Sequence, residues 1–108
     1  MKIDEKNIIY LDDSPPVNGV RPSADTLFTS VAESFSGKRV LAVILTGMGR
    51  DSQDGVARLK KMKECFCMTQ SEKTCVVYGM PRAVVEAGLT DEVLDLETIT
   101  NEIEAFFN

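Results

Sequence analysis

The hydrophobic pattern along the chain alternates short apolar runs with amphipathic stretches. Residues 40–45 (VLAVIL) are apolar at every position, and residues 65–70 (CFCMTQ) form a second, mostly apolar run. Runs that are apolar at consecutive positions predict strands covered on both faces, which is typical of parallel sheets. Residues 7–11 and 92–96 predict two shorter strands.

Apolar residues at helical spacing predict four helices among these strands. The first helix begins at Pro22–Ser23, where Ser23 is suited to cap it and Asp25 to complement the positive end of its dipole. Gly88 ends the third helix, and Asp95 or Thr98 caps the fourth. The first three predicted helices span about 22–35, 51–63 and 81–87.

This order of elements predicts an α/β fold with a parallel sheet between helices, a three-layer, Rossmann-like arrangement. Residues 65–70 follow the strand at 39–46 at a distance that fits a right-handed crossover through the helix between them. Because only three or four strands are recognisable, the strand at 39–46 is expected near an open edge of the sheet. We therefore expect a partner or a second copy to complete the sheet, or the chain to be a piece of a larger domain.

Composition removes several functional classes. The chain has 108 residues, 44% of them hydrophobic, and its net charge of −5 comes with scattered basic residues, which argues against binding to nucleic acid or anionic membranes. The apolar runs are too short to span a membrane, and no secretory signal opens the chain. Three cysteines, an odd number, suit a reducing cytoplasm better than a disulfide framework.

The chain contains no histidine. A histidine general base, a Ser-His pair or a histidine-ligated metal site therefore cannot be completed by this chain alone. Cys65 and Cys67 lack the usual Cys-x-x-Cys spacing of a zinc site, so the three cysteines are interpreted as core thiols. Neither a metal nor a cofactor is predicted.

The segment Thr46-Gly47-Met48-Gly49-Arg50-Asp51 is the first candidate for chemistry. A Gly-x-Gly turn after a buried strand brings the backbone to the edge of the sheet where open α/β folds bind ligands. One interpretation is a phosphate cradle, although Ser52 replaces the third glycine of the dinucleotide fingerprint and Asp51 would repel phosphate. The other is that Asp51 caps the following helix, the commoner use of Asp at such a position.

Two further residues could belong to a binding site. Met48 is apolar on a turn that has no helix or strand face, so it either walls a pocket or packs under the turn. Arg21 precedes the first helix, where it is either part of a substrate-binding arm or a solvated residue at an ordinary helix start.

Three segments in order resemble the chemotaxis protein-glutamate methylesterase family, CheB. They are residues 15–28 (PPVNGVRPSADTLF), 44–51 (ILTGMGRD) and 70–81 (QSEKTCVVYGMP). The resemblance runs from about residue 8 onward and corresponds to roughly the C-terminal half of the family's catalytic domain. It departs from the family pattern at Val20, Arg50 and Ser52, where the family often has His, Asn and Gly.

The resemblance implies hydrolysis of glutamate methyl esters on chemoreceptors, with release of methanol, and deamidation of receptor glutamines. It implies a Ser-His-Asp triad on a parallel α/β sheet, with Asp51 as the triad acid. Met48 is implied to line the active site, and we extend that substrate pocket to Thr46, Gly47 and Arg21. The triad Ser and His belong to the earlier half of the domain, and many members also carry a receiver domain.

The expected partners are therefore methylated chemoreceptors and the Ser- and His-bearing half or a receiver domain. A homo-oligomer formed through the truncated sheet is also expected. Two alternative functions stay open: a non-catalytic module that kept the fold and lost the triad, and a nucleotide-binding α/β domain.

Overall fold

The computed structural model describes residues 1–12, 15–17 and 23–107. Helices and strands alternate along most of this length. The elements in chain order are β1 (Lys2–Ile3), β2 (Ile9–Tyr10), α1 (Ala24–Ser34), β3 (Arg39–Ile44), α2 (Gln53–Met62), β4 (Glu64–Gln70), a 3₁₀ turn (Glu72–Thr74), α3 (Gly79–Glu86), β5 (Glu92–Leu94) and α4 (Leu96–Phe106).

The sheet has the order β3-β4-β5, and both pairs of neighbouring strands are parallel. This confirms the predicted parallel α/β fold, with α2 forming the connection between β3 and β4. Among the described residues β3 has β4 as its only neighbouring strand, as the prediction of an open edge requires. Ala42 and Ile44 are buried, but Val40, Leu41 and Val43 are only partly buried. The expectation that this strand is buried on both faces is therefore met only in part.

The predicted strand at residues 7–11 is shorter than expected and lies outside the parallel sheet. Only Ile9–Tyr10 is a strand, and it pairs antiparallel with β1 in a separate two-stranded sheet. The hairpin turn explains this pairing: Asp4 Oδ1 accepts hydrogen bonds from the amides of Lys6 and Ile8, and Asn7 adopts a left-handed φ of 64°.

Helices cover both faces of the parallel sheet, which gives the predicted three layers. Successive strand residues alternate between the faces. On one face α1, α2 and α3 form a core with β3 and β4, whose buried members are Ala32, Ala42, Ile44, Val56, Leu59, Cys67 and Val84. On the other face Phe66 lies 6.2 Å from Phe106 of α4, measured between ring centroids.

Two helix boundaries differ from the prediction for local reasons. α2 begins at Gln53, not at 51, because Ser52 has a left-handed φ of 103° that a helix cannot include. α3 begins at Gly79, two residues before Pro81, since Pro lacks only an amide that a first helical turn leaves unpaired.

Candidate functional site

The turn that follows β3 is fastened to the segment before α3. The Thr46 hydroxyl accepts a hydrogen bond from the Val77 amide at 2.9 Å and donates one to the Val77 carbonyl at 3.0 Å. The Gly47 amide donates to the same carbonyl at 2.9 Å, and the Gly47 carbonyl accepts from the Met80 amide at 2.9 Å. These hydrogen bonds therefore hold the turn in a fixed position at the carboxyl end of the sheet.

This contact requires glycine at position 79. A Cβ atom at Gly79 would lie 2.9 Å from the Gly49 nitrogen and 3.0 Å from the Gly47 oxygen. Both are backbone atoms that cannot rotate away, so the two segments meet only because Gly79 has no side chain. From the sequence this glycine is recognisable as a break between elements, and not as a packing requirement.

Met48 lies at the tip of the turn and is 83% exposed. It does not pack under the turn, which removes one of its two interpretations. Thr46 and Gly47 hold the turn in place through the hydrogen bonds described above. Arg21 lies outside the described residues. The structure thus brings Thr46, Gly47 and Met48 together on one turn.

Asp51 lies on the opposite side of the same turn and is 9% exposed. Its Oδ1 accepts hydrogen bonds from the Ser23 hydroxyl at 2.7 Å and the Asp25 amide at 3.2 Å, and its Oδ2 accepts from the Ala24 amide. These donors form the N-terminus of α1, whose positive dipole end stabilises a carboxylate. Asp51 therefore binds the N-terminus of α1, a helix 26–28 residues away in sequence.

Asp25 binds the N-terminus of α2 in return. Its Oδ1 accepts hydrogen bonds from the amides of Ser52 at 3.0 Å and Gly55 at 2.7 Å. We call the four residues Ser23, Asp25, Asp51 and Ser52 the reciprocal cap. Two of the amides at the start of α2 are thus bound to Asp25, whose negative charge disfavours a phosphate at this turn.

Ser52 has an unusual environment within the reciprocal cap. It is fully buried, and its hydroxyl oxygen has no hydrogen-bond partner among the described residues. Its φ of 103° lies in the region that favours glycine. The serine therefore carries backbone strain together with a hydroxyl that is unpaired among the described residues.

A polar network missed by the sequence analysis connects the ends of the strands. Gln70, 2% exposed, accepts a hydrogen bond from the Thr46 amide at 2.8 Å and donates one to the Thr74 carbonyl at 2.7 Å. Ser71 donates to Asp95 Oδ1 at 2.7 Å. This bond and the nearby Lys73 charge lower the pKa of Asp95. The only indication in the sequence is a polar residue, Gln70, at the end of an apolar strand.

The cysteines are free thiols, as their number suggested. Burial raises the pKa of Cys67 to about 12 and also raises the pKa values of Cys65 and Cys75, so all three favour the neutral thiol. Cys67 belongs to the hydrophobic core, which confirms the core interpretation for that residue. Within 1–12, 15–17 and 23–107, no three His, Cys, Asp or Glu side chains are grouped so that they could hold a metal ion.

A cavity of about 540 Å³ lies beside α1, and neither Met48 nor Asp51 lines it. Its walls come from the N-terminal hairpin, Val17, Asp54 and one side of α1, which includes Asp25 of the reciprocal cap. It is therefore separate from the turn that carries the predicted site residues. None of the helices in the described part of the chain has the length and apolar character needed to cross a membrane.

Comparison with known proteins places these features in a family. A family model described as CheB methylesterase matches residues 1–103. The protein-glutamate methylesterase/protein-glutamine glutaminase of Symbiobacterium thermophilum is 46% identical over 103 residues, which cover 95% of this chain and 28% of that protein. The protein of the same name from Agrobacterium fabrum is 54% identical over 93 residues, covering 84% of this chain and 25% of that protein.

The fold comparison agrees with the sequence comparison. The crystal structure of the Thermotoga maritima CheB methylesterase catalytic domain matches with a TM-score of 0.77 and 38% identity. The match covers 84% of this chain and 47% of that domain. The chain thus spans about a quarter of the length of the curated relatives it matches and about half of a catalytic domain.

Proposed function

The chain belongs to the CheB methylesterase family, and we propose that it is the C-terminal part of the catalytic domain of a protein-glutamate methylesterase. The observation that supports this most strongly is the buried carboxylate of Asp51. It follows a parallel strand and lies at the carboxyl end of the sheet, where α/β enzymes place their active sites. Its segment, ILTGMGRD, is also one of the three segments that carry the family resemblance.

The proposed reaction is hydrolysis of glutamate methyl esters on chemoreceptors, with deamidation of glutamines as the second activity named for the relatives. Asp51 accepts the Nδ1–H of a histidine supplied by the remainder of the domain. That bond sets the tautomer in which Nε2 takes the proton of the attacking serine, and the carboxylate stabilises the imidazolium that forms. A carboxylate in this role needs a fixed orientation, which the hydrogen bonds from α1 supply.

The proposed substrate pocket uses the other side of the turn. Met48 is available for contact with an incoming methyl ester because it is exposed, while Thr46 and Gly47 hold the turn against Val77. Arg21 is assigned to the same pocket on the strength of the family resemblance alone.

The proposed partner within the enzyme is the half of the domain that carries the serine and histidine. We place it along the outer edge of β3, because β3 has six residues and five of them are apolar. The edge of β3 that has no neighbouring strand among the described residues presents backbone groups that pair readily with another strand. A receiver domain and methylated chemoreceptors are the further proposed partners, and the three free thiols support a cytoplasmic location.

The same edge predicts self-association of this chain when the other half is withheld. Light scattering should detect a dimer when this chain is at tens of micromolar. Addition of the complementary half should dissociate the dimer. A clean monomer at that concentration contradicts this use of the β3 edge.

The function is tested by joining this chain to the Ser- and His-bearing half of a family member. A fusion to the part of the T. maritima domain that the chain does not cover, assayed for methanol release from methylated receptor, should be active. The T. maritima half alone is the control. If circular dichroism shows that the fusion is folded but it releases no methanol, the result would favour the non-catalytic interaction module.

A further inference from the structure

We propose that Ser23 and Asp25 are positioning residues for Asp51, so that the N-terminus of α1 is part of the catalytic machinery. The inference rests on the proposed function, since it assigns a task to residues that touch Asp51 and touch no reacting atom. Ser23, Asp25 and Asp51 are each less than 10% exposed, so water does not compete effectively for the bonds among them.

Ser23 directs its single hydroxyl proton to Asp51. Its oxygen accepts the Thr26 amide at 3.3 Å as an N-cap and donates to Asp51 Oδ1 at 2.7 Å. A hydroxyl has one proton and two acceptor sites, so capping α1 and binding Asp51 are compatible. Ser23 therefore couples the start of a helix to the orientation of the carboxylate.

The backbone of α1 completes the hold on the carboxylate. The Asp25 amide binds Oδ1 and the Ala24 amide binds Oδ2. Because donors from one rigid helix end contact both oxygens, rotation of the carboxylate about its Cβ–Cγ bond would break several hydrogen bonds at once. This arrangement preserves the direction in which the carboxylate presents its lone pairs to a histidine.

Asp25 holds the backbone beside Asp51 from the other direction. Its Oδ1 binds the amide of Ser52, the residue that follows Asp51, and the amide of Gly55. Ser52 adopts a strained positive φ, a conformation that persists only where surrounding contacts impose it. Asp25 supplies such a contact, so α1 fixes both the side chain of Asp51 and the main chain that carries it.

The test measures kcat and KM separately for methyl-ester hydrolysis by the complete enzyme that contains this chain. Ser23→Ala should lower kcat about tenfold, the size of one lost hydrogen bond to a charged group, and leave KM within about twofold. Ser23→Thr, which retains a hydroxyl, should recover most of the loss. Ser23→Gly should lower kcat like Ser23→Ala while keeping the helix cap nearly intact, so an effect of misfolding is separated from one of positioning.

The matched control is Ser30→Ala. Ser30 is on the same helix, is 8% exposed, and donates its hydroxyl to the Leu27 carbonyl. Its removal should leave kcat unchanged. For Asp25, the alanine variant should lower kcat more than the asparagine variant, because asparagine keeps one carbonyl oxygen for the two amides.

Each outcome of these measurements is decisive. The inference is overturned if Ser23→Ala and Ser23→Gly lower kcat no more than Ser30→Ala does, or if their whole effect lies in KM. If Asp51→Asn itself keeps full activity, the proposed function fails, whatever the serine variants do. Amide hydrogen exchange on the complete enzyme gives an independent readout: the Ala24 and Asp25 amides should exchange at least about tenfold faster in Asp51→Ala than in the unsubstituted enzyme, because the alanine removes both of their acceptor oxygens.

Discussion

The two sides of the turn between β3 and α2 differ in almost every physical respect. On one side Asp51 is buried and accepts hydrogen bonds from Ser23 and the start of α1. On the other side Met48 is 83% exposed and stands between two glycines. A segment of six residues thus carries one side chain fixed by its surroundings and one that meets solvent.

The difference indicates which part of the site this chain completes by itself. The turn is held at both of its ends, by the N-terminus of α1 at Asp51 and by the Val77 backbone at Thr46. The pocket side offers an apolar surface and requires a further surface to enclose a substrate. The proposed triad acid is therefore already positioned, whereas the proposed pocket depends on the other half of the domain.

The largest expected effect on stability separates these two sides directly. Asp51→Ala removes the acceptor of three hydrogen bonds from described residues and should lower the free energy of unfolding by about 3 kcal/mol. Met48→Ala should change it by less than about 0.5 kcal/mol, because the side chain is exposed. Urea denaturation of both variants measures the difference. Equal losses would show that the two sides are not distinct.

The next largest effect concerns the contact between the turn and the start of α3. Gly79→Ala should lower the free energy of unfolding by about 2 kcal/mol, because its Cβ would lie 2.9 Å from a backbone nitrogen. Gly49→Ala is the matched control: nothing lies within 4 Å of its Cβ, and only its φ of +84° opposes the substitution, at about 1 kcal/mol. Thermal unfolding should rank the two in this order, and a larger loss for Gly49→Ala would contradict the close-approach account.

Ser52→Gly should stabilise the protein by about 1 kcal/mol. The substitution relieves a positive φ and removes a buried hydroxyl that is unpaired among the described residues. The greater freedom of glycine in the unfolded chain offsets part of that gain. A lower unfolding midpoint in urea for this variant would show that the serine hydroxyl has a stabilising partner.

The smallest expected effect is the slow reaction of Cys67, a residue of the hydrophobic core, with a thiol reagent. With its pKa raised to about 12 by burial, Cys67 should be thiolate in only about one molecule in 10⁴ at pH 8. It should react with a thiol reagent far more slowly in the native state than in urea. Because the folded state raises this pKa, its stability contribution is complete below about pH 8.5 and declines as pH rises toward 12. Mass spectrometry identifies the modified cysteine, and rapid native labelling of Cys67 would contradict its burial.

The fold was predictable where local pattern decides it. The strands at β3 and β4, the α2 connection and the cap at Ser23 all follow from apolar runs and capping chemistry within a few residues. A strand at residues 7–11 was predicted but its partner was not, because a pattern of apolar residues does not determine which strand is its neighbour. The hairpin with β1 depends on the turn chemistry of Asp4 and Asn7.

The catalytic assignment of Asp51 stays a prediction, and its contacts differ from the helix-cap alternative. Asp51 does bind a helix N-terminus, but not that of the helix that follows it. Asp51 binds the N-terminus of α1 and Asp25 binds that of α2, an exchange between residues about 26 positions apart. Local sequence reasoning assigns a cap to the helix that follows it, so this exchange becomes visible only when the two helices are packed together.

The proposed role of Asp51 as the triad acid is tested most directly by one substitution. In the complete enzyme Asp51→Asn keeps the size of the side chain and changes its hydrogen-bonding character, so the histidine loses the carboxylate that sets its tautomer. We expect methanol release from methylated receptor to fall on the order of 10⁴ in kcat, with little change in KM. A loss of only a few-fold would contradict the account and leave Asp51 as a cap of α1 with no catalytic role.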